Sequence, residues 1–221
     1  GSGSGVTLSS DGTDLLLDGT AIGGGGGAAL DLYAENYDGT STKPSATGSN
    51  GIALGRLAVA SGNRSIAVGG GATATGLFST ALTNSYASGG DAFAAAISTG
   101  SSSYGATGSN SVAIGENAKA TASDSVAVGS GAYGNGNGAV ALGFNNESRS
   151  YAFTAGREST ATGFVATAIG YNVGAYHDES VALGRLTQTR VRSSIAFGSY
   201  GFGSSGDCQS GLYVLNRFTT D

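Results

Sequence analysis

An all-β solenoid is the fold class this sequence predicts, and three observations predict it. The first is an internal 14-residue step: Ser111-Val112-Ala113-Ile114-Gly115 returns as Ser125-Val126-Ala127-Val128-Gly129 and as Ala139-Val140-Ala141-Leu142-Gly143. A fixed period of this kind marks a stacked repeat architecture. The second is the alternation inside each copy, where Val112 and Ile114 fall on one face and Ala113 on the other, the period of a strand. The third is composition. Forty-one of the 221 residues are glycine, with one Pro and neither Trp nor Met. Glycine this frequent costs a helix about 1 kcal/mol per residue against Ala.

Residues 1–50 read as a connector. Gly1 to Gly5 has the composition of a linker. Val6 to Ser10 and Thr13 to Leu17 read as two short strands around the Asp11-Gly12 turn. Gly23 to Gly27 forms a flexible joint, Ala28 to Tyr33 suits another strand, and Asp38-Gly39 with Lys43-Pro44 marks a loop. The periodic part spans 51–200. Its motif starts at Gly51, Ser65 and Ser79, weakens at Ala92, resumes at Ser111, Ser125 and Ala139, and falters again near Tyr151 to Thr154. It returns at Ala166, Ser180 and Ser194, making nine good or fair copies and two poor ones. Residues 201–221 form a third segment, in which Leu212 to Thr220 is expected to be a strand leading into a further module of a longer protein.

Each coil is expected to hold two short strands and two turns. The Gly closing each motif can take positive φ and turn the chain, and a second alternation, such as Ala118 and Ala120, supplies the second strand. Val112, Ile114, Val126, Val128, Val140 and Leu142 are expected to fill the inside of the roll. Positions 14 apart should stack at the strand spacing of about 4.8 Å, which also predicts an Asp178–Arg192 pair across adjacent coils. So few side chains per coil stand against the entropy of ordering its backbone that a lone chain has a thin margin. An obligate homo-oligomer is therefore expected, with the small residues Ala113, Ala127 and Ala141 where chains come close.

The SVAIG-type copies, their Asn-Ser or Ser lead-ins and the 14-residue step resemble the head repeats of YadA-like trimeric adhesins over roughly residues 51–200. The resemblance implies a left-handed parallel β-roll assembled as a homotrimer. The flanks are similar to sequences in tailed-phage structural proteins: LDLYAEN at 30–36 running through ATGSN at 46–50, and Gly206-Asp207-Cys208-Gln209 leading into LYVLNRFTTD. No heptad stretch of the kind found in bacterial trimeric autotransporter stalks is present in the sequence.

Net charge is −5 and no long basic run occurs, which argues against a nucleic-acid partner. No apolar run reaches the roughly 20 residues of a membrane-spanning helix. Cys208 is the only cysteine, so an intrachain disulfide is excluded. Gly201 to Gly206 matches a dinucleotide fingerprint, but no helix is predicted to follow it. The five glycines lack a Gly-Lys-Ser/Thr sequence. His177 is the only histidine and sits in a predicted turn, so no catalytic, cofactor or metal site is expected. Candidate receptor or glycan contacts are Arg185, Arg190 and Arg192, which would make a ring of nine in a trimer, with the aromatic Tyr151, Tyr171 and Tyr176.

The function expected is a non-enzymatic module of a virion appendage, a phage tail fibre or spike, serving as rigid spacer or receptor-facing head. Its partners would be two further copies of itself, neighbouring virion or adhesin modules, and a host-surface glycan or protein. The rivals are the head of a bacterial surface adhesin binding host matrix, and a glycan-degrading tailspike. The last would need paired carboxylates in a groove, and few acids fall on the predicted strands.

Overall fold

The computed structural model describes residues 8–10, 15–17, 20–21, 42–98, 102–198 and 211–215. The expected glycine joint at 23–27, the strand at 28–33, the loop at Asp38-Gly39, the Gly201–Gly206 motif, Cys208 and residues 216–220 of the last strand lie outside them. The chain divides into two units, residues 1–33 and 34–221.

In the first unit, strands Leu8–Ser10 and Leu15–Leu17 pair antiparallel, and Thr20–Ala21 extends the sheet from the second of them. Leu8 stands opposite Leu17 and Ser10 opposite Leu15; Asp11-Gly12 lies outside the described residues.

The second unit is a parallel β-solenoid. Eleven long strands, from Ile52–Leu54 to Ser194–Gly198, form one sheet in chain order, and eleven short strands of two residues, from Ser45–Ala46 to Gln188–Thr189, form the other. Each coil contributes one strand to each sheet. Successive coils are joined by backbone bonds such as Val126 N–H to the Ala139 carbonyl and Lys119 N–H to the Ala132 carbonyl, both 2.8 Å. The register is that of the sequence step, with Val112 beside Val126 and Val140. The short-strand sheet begins at Ser45, inside the segment read as connector.

The poor copies are complete coils. Phe93 pairs with Thr80, one position short of the regular step, and with Val112, five beyond it; Val140 pairs with Phe153, again one short. The extra length lies between the strands Phe93–Ala95 and Gly105–Ala106, where Ile97 turns inward and is fully buried. In the short coil that starts at Ala139, the buried Asn146 takes the place of an inward Ala. Its Oδ1 accepts from the Ser159 N–H at 2.8 Å and its Nδ2 donates to the Gly156 carbonyl at 3.0 Å. The last strand, Gly211–Leu215, pairs antiparallel with Ser194–Gly198.

The inside of the roll corrects the expected assignment. Ala113, Ala127 and Ala141 are fully buried within the single chain, together with Ala118, Ala120 and Ala132 from the short-strand side. Val112, Ile114, Val126, Val128, Val140 and Leu142 are half-buried on the opposite face. With two strands and two brief turns per coil, the sheets lie so close that the inward positions are mostly Ala, Ser or Thr, with Ile97, Asn146 and Val173 the larger exceptions. The inward Ser at the head of the motif bonds back to its turn: Ser79, Ser111 and Ser125 hydroxyls donate to the carbonyls of Gly76, Gly108 and Ala122 at 2.8, 2.6 and 2.6 Å. A buried hydroxyl so paired avoids the desolvation penalty.

The corners explain the glycines. Gly129 has φ +126°, and a β-carbon there would overlap the Gly143 carbonyl oxygen of the next coil. Other corners use non-glycine residues in the left-handed region, including Asn110 (φ 55°), Asp124 (φ 58°) and Val165 (φ 57°). Asn and Asp tolerate this conformation; a β-branched Val is strained in it.

Candidate interaction surfaces

Since the small residues point inward, the outer face of the long-strand sheet carries the large apolar side chains. Two columns run its length in register from coil to coil, the first from Ile52 and Ile66 through Thr80, Phe93, Val112, Val126, Val140, Phe153 and Thr167 to Val181, the second from Leu54, Val68 and Leu82 through Ala95, Ile114, Val128, Leu142, Ala155 and Ile169 to Leu183. Ile66 and Ile169 are 36% and 40% exposed. Isolated exposed apolar residues are ordinary, but an extended sheet face that is apolar at all but the Thr80 and Thr167 positions marks an association surface. The expected interface residues Ala113, Ala127 and Ala141 have no exposed surface to offer another chain; the two columns on the other face do.

A second feature runs along the turn between long and short strands. Phe144, Arg157, Tyr171 and Arg185 are consecutive partners in the ladder. The Arg157 guanidinium lies 5.5 Å from the Phe144 ring centre and 5.4 Å from that of Tyr171, and Arg185 lies 5.7 Å from Tyr171. Cations over ring faces attract by the ring quadrupole, modestly where exposed. Tyr171 and Arg185 are candidates from sequence; Phe144 and Arg157 are not. Stepping back from Tyr171 along the register, first over a 14-residue coil and then over a 13-residue one, finds both.

The remaining candidates lie elsewhere. Tyr151 packs edge-on against Phe164, with ring centres 5.5 Å apart, at the turn leading into the next long strand. Arg192 lies at that same turn three coils after Tyr151 and two after Phe164, its guanidinium 3.9 Å from Asp178 and 3.5 Å from Glu179. The Asp178–Arg192 pair is therefore present, exposed and shared with Glu179, in the class worth at most about 1 kcal/mol. Tyr176 and Arg190 stand 14 apart, each directly after a short strand, and both are exposed. The three arginines thus do not converge: Arg185 sits at one turn, Arg190 and Arg192 toward the other. His177 is exposed, and its backbone carbonyl accepts from the Ser180 hydroxyl at 2.6 Å. Among the described residues no group of three His, Cys, Asp or Glu side chains is placed to hold a metal ion, and no helix is long and apolar enough to cross a membrane.

The family model of the YadA head domain repeat matches this chain over residues 46–72, 60–82, 106–132 and 161–187. No curated protein matches it. The matched stretches fall within the solenoid and leave out the 19-residue coil's long turn and the shortened turns of the two 13-residue coils.

Proposed function

We propose that this chain is a non-enzymatic structural and adhesive module that assembles as a homotrimer of left-handed rolls through the outer face of its long strands. The observation that carries the reading is the mainly apolar double column, Ile66 and Val68 through Val181 and Leu183 with Thr80 and Thr167 as its polar members, left uncovered on a roll built from YadA head repeats. Three copies facing a common axis would remove these columns from water. The outward turns, with Phe144, Arg157, Tyr171 and Arg185 on one side and Tyr151 and Arg192 on the other, would remain exposed. Arg185, Arg190, Arg192, Tyr151, Tyr171 and Tyr176 are then candidate contacts for a surface glycan or protein.

The flanking similarity to tailed-phage structural proteins favours a virion appendage, where the trimer would act as stiff spacer or receptor-facing head. The matched head repeat favours a second reading, a bacterial surface adhesin. Light scattering of the purified chain tests the trimer, and a monomeric mass for folded protein refutes it. Gold-labelled antibody against the chain separates the locations: label on phage tails supports the first reading, and label on intact bacterial cells the second. Release of oligosaccharide from host polysaccharide would overturn the non-enzymatic assignment.

A further inference from the structure

Between three successive coils the outer surface is notched. Counted from the motif start, the sixth and seventh positions are Glu116-Asn117, then Ser130-Gly131, then Phe144-Asn145. Backbone bonds hold these pairs in line: Gly131 N–H to the Glu116 carbonyl at 2.8 Å and Asn145 N–H to the Ser130 carbonyl at 2.9 Å. The middle coil thus offers the smallest side chains, flanked by larger ones above and below. The result is an open cleft of about 380 Å³, closed on its third side by the outward residues of the short-strand sheet. Those are Lys119 and Tyr133, with Tyr104 from the 19-residue coil. The Lys119 ammonium lies 4.6 Å from the Tyr104 ring centre and 5.5 Å from that of Tyr133. None of these residues except Phe144 belongs to the surfaces described above, and the short-strand face points away from the apolar columns.

We infer that this cleft is a binding subsite for a neutral pyranose unit of a glycan. The chemistry of the walls selects the ligand class. Phe144 is 43% exposed, and Arg157 of the following coil covers one face of its ring. The same ring lines the cleft beside Ser130. Tyr133 supplies a second aromatic wall, and C–H-bearing sugar faces pack on such rings. The polar groups around the cleft are of mixed sign: the Glu116 carboxylate accepts, the Lys119 ammonium donates, and the Asn117 and Asn145 amides do both. An anion would meet Glu116, and a cation would meet Lys119 already seated against two rings. A lipid would leave all four polar groups desolvated without partners. A polyol, whose hydroxyls donate and accept, suits the whole set, and the volume falls in the range of small-ligand sites, about 300–1,000 Å³.

The test is saturation-transfer NMR on the full chain with the methyl glycosides of glucose, galactose, mannose and N-acetylglucosamine, with sodium sulfate and tetramethylammonium as charged probes. At least one neutral glycoside should give saturable transfer concentrated on the C–H groups of one ring face. Tyr133→Leu should weaken it about fivefold or more, the loss of one stacking contact, whereas Tyr133→Phe keeps the ring and should bind like the parent. Gly131→Asn fills the notch without backbone strain, since Asn117 and Asn145 hold the same coil position at φ 56° and 50° against 68° for Gly131. The new β-carbon crowds the amide end of Asn145, an exposed side chain that can turn aside, and lies at ordinary contact distance from its Cα; the variant should abolish transfer. Ser61→Ala, at an exposed position directly after the short strand Val59–Ala60 and outside both the cleft and the other candidate contacts, should change nothing. Absence of saturable transfer from every neutral glycoside overturns the inference. So does equal affinity in Tyr133→Leu and Tyr133→Phe, or competition for the cleft by sulfate or tetramethylammonium.

Discussion

Replacing Ile66 and Ile169 together by Thr should dissociate the assembly while leaving the roll intact. Both side chains stand on the outer face of the long strands, 36% and 40% exposed in the single chain. Fully burying an Ile is worth about 1.5–3 kcal/mol, so burying these remaining fractions on assembly contributes about 0.5–1.2 kcal/mol each. The pair then amounts to roughly 1.1–2.3 kcal/mol per chain, or about 3–7 kcal/mol over three chains. Thr keeps the β-branched shape that suits a pleated strand, so the coil hydrogen bonds are unaffected. Sedimentation equilibrium across a range of concentrations reads the outcome. The parent should show about three times the 21.3 kDa chain mass. Taking the low end of the range, about 3 kcal/mol, the double variant should raise the trimer dissociation constant about a hundredfold or more. A variant whose mass tracks the parent's at every concentration would refute the placement of the interface, and a monomeric parent would refute the interface itself.

Three further outcomes follow from the interior and the corners. Ala127→Val adds two methyl groups at a fully buried position between Ala113 and Ala141; denaturant unfolding should show a loss of about 1–3 kcal/mol from overpacking. Gly129→Ala forces a side chain onto φ +126° and into the Gly143 carbonyl. The conformation alone costs about 1–3 kcal/mol, so its melting temperature should fall by more than that of an Ala substitution at the outward-facing Ser130. Val165→Asn puts a residue that tolerates the left-handed region at φ 57°, and should stabilise by about 1 kcal/mol, seen in calorimetry as a rise of about 2–4 °C. No rise would mean that Val165 gains from packing what it loses in backbone strain.

Much of the solenoid is legible in the chain itself. The 14-residue step predicts which residues become ladder neighbours, and Val112, Val126 and Val140 stand side by side as expected. The same count anticipates Asp178 opposite Arg192. The interaction surfaces are less legible. Phe144 and Arg157 escape a search for clusters because they are separated in sequence and off the regular step, meeting only through the shortened coil. The cleft escapes it because it is defined by what Ser130 and Gly131 lack relative to their neighbours one coil away.

By itself the sequence determined the coil, its period, the strand character of each motif and the turn at each closing glycine, because all of these are local or follow from stacking identical units. It also determined that the two faces of the long strand differ. Which face lies inside was decided only by the tertiary structure. Alternation with period two is the same whichever way the strand is turned, so Val-in and Ala-in patterns cannot be told apart along one strand. The second strand of each coil settles it: its own inward residues, Ala118, Ala120 and Ala132, meet Ala113, Ala127 and Ala141 across a gap set by two brief turns. That gap is filled mainly by small side chains, with Ile97 and Val173 the exceptions, and most of the larger apolar residues are left facing out.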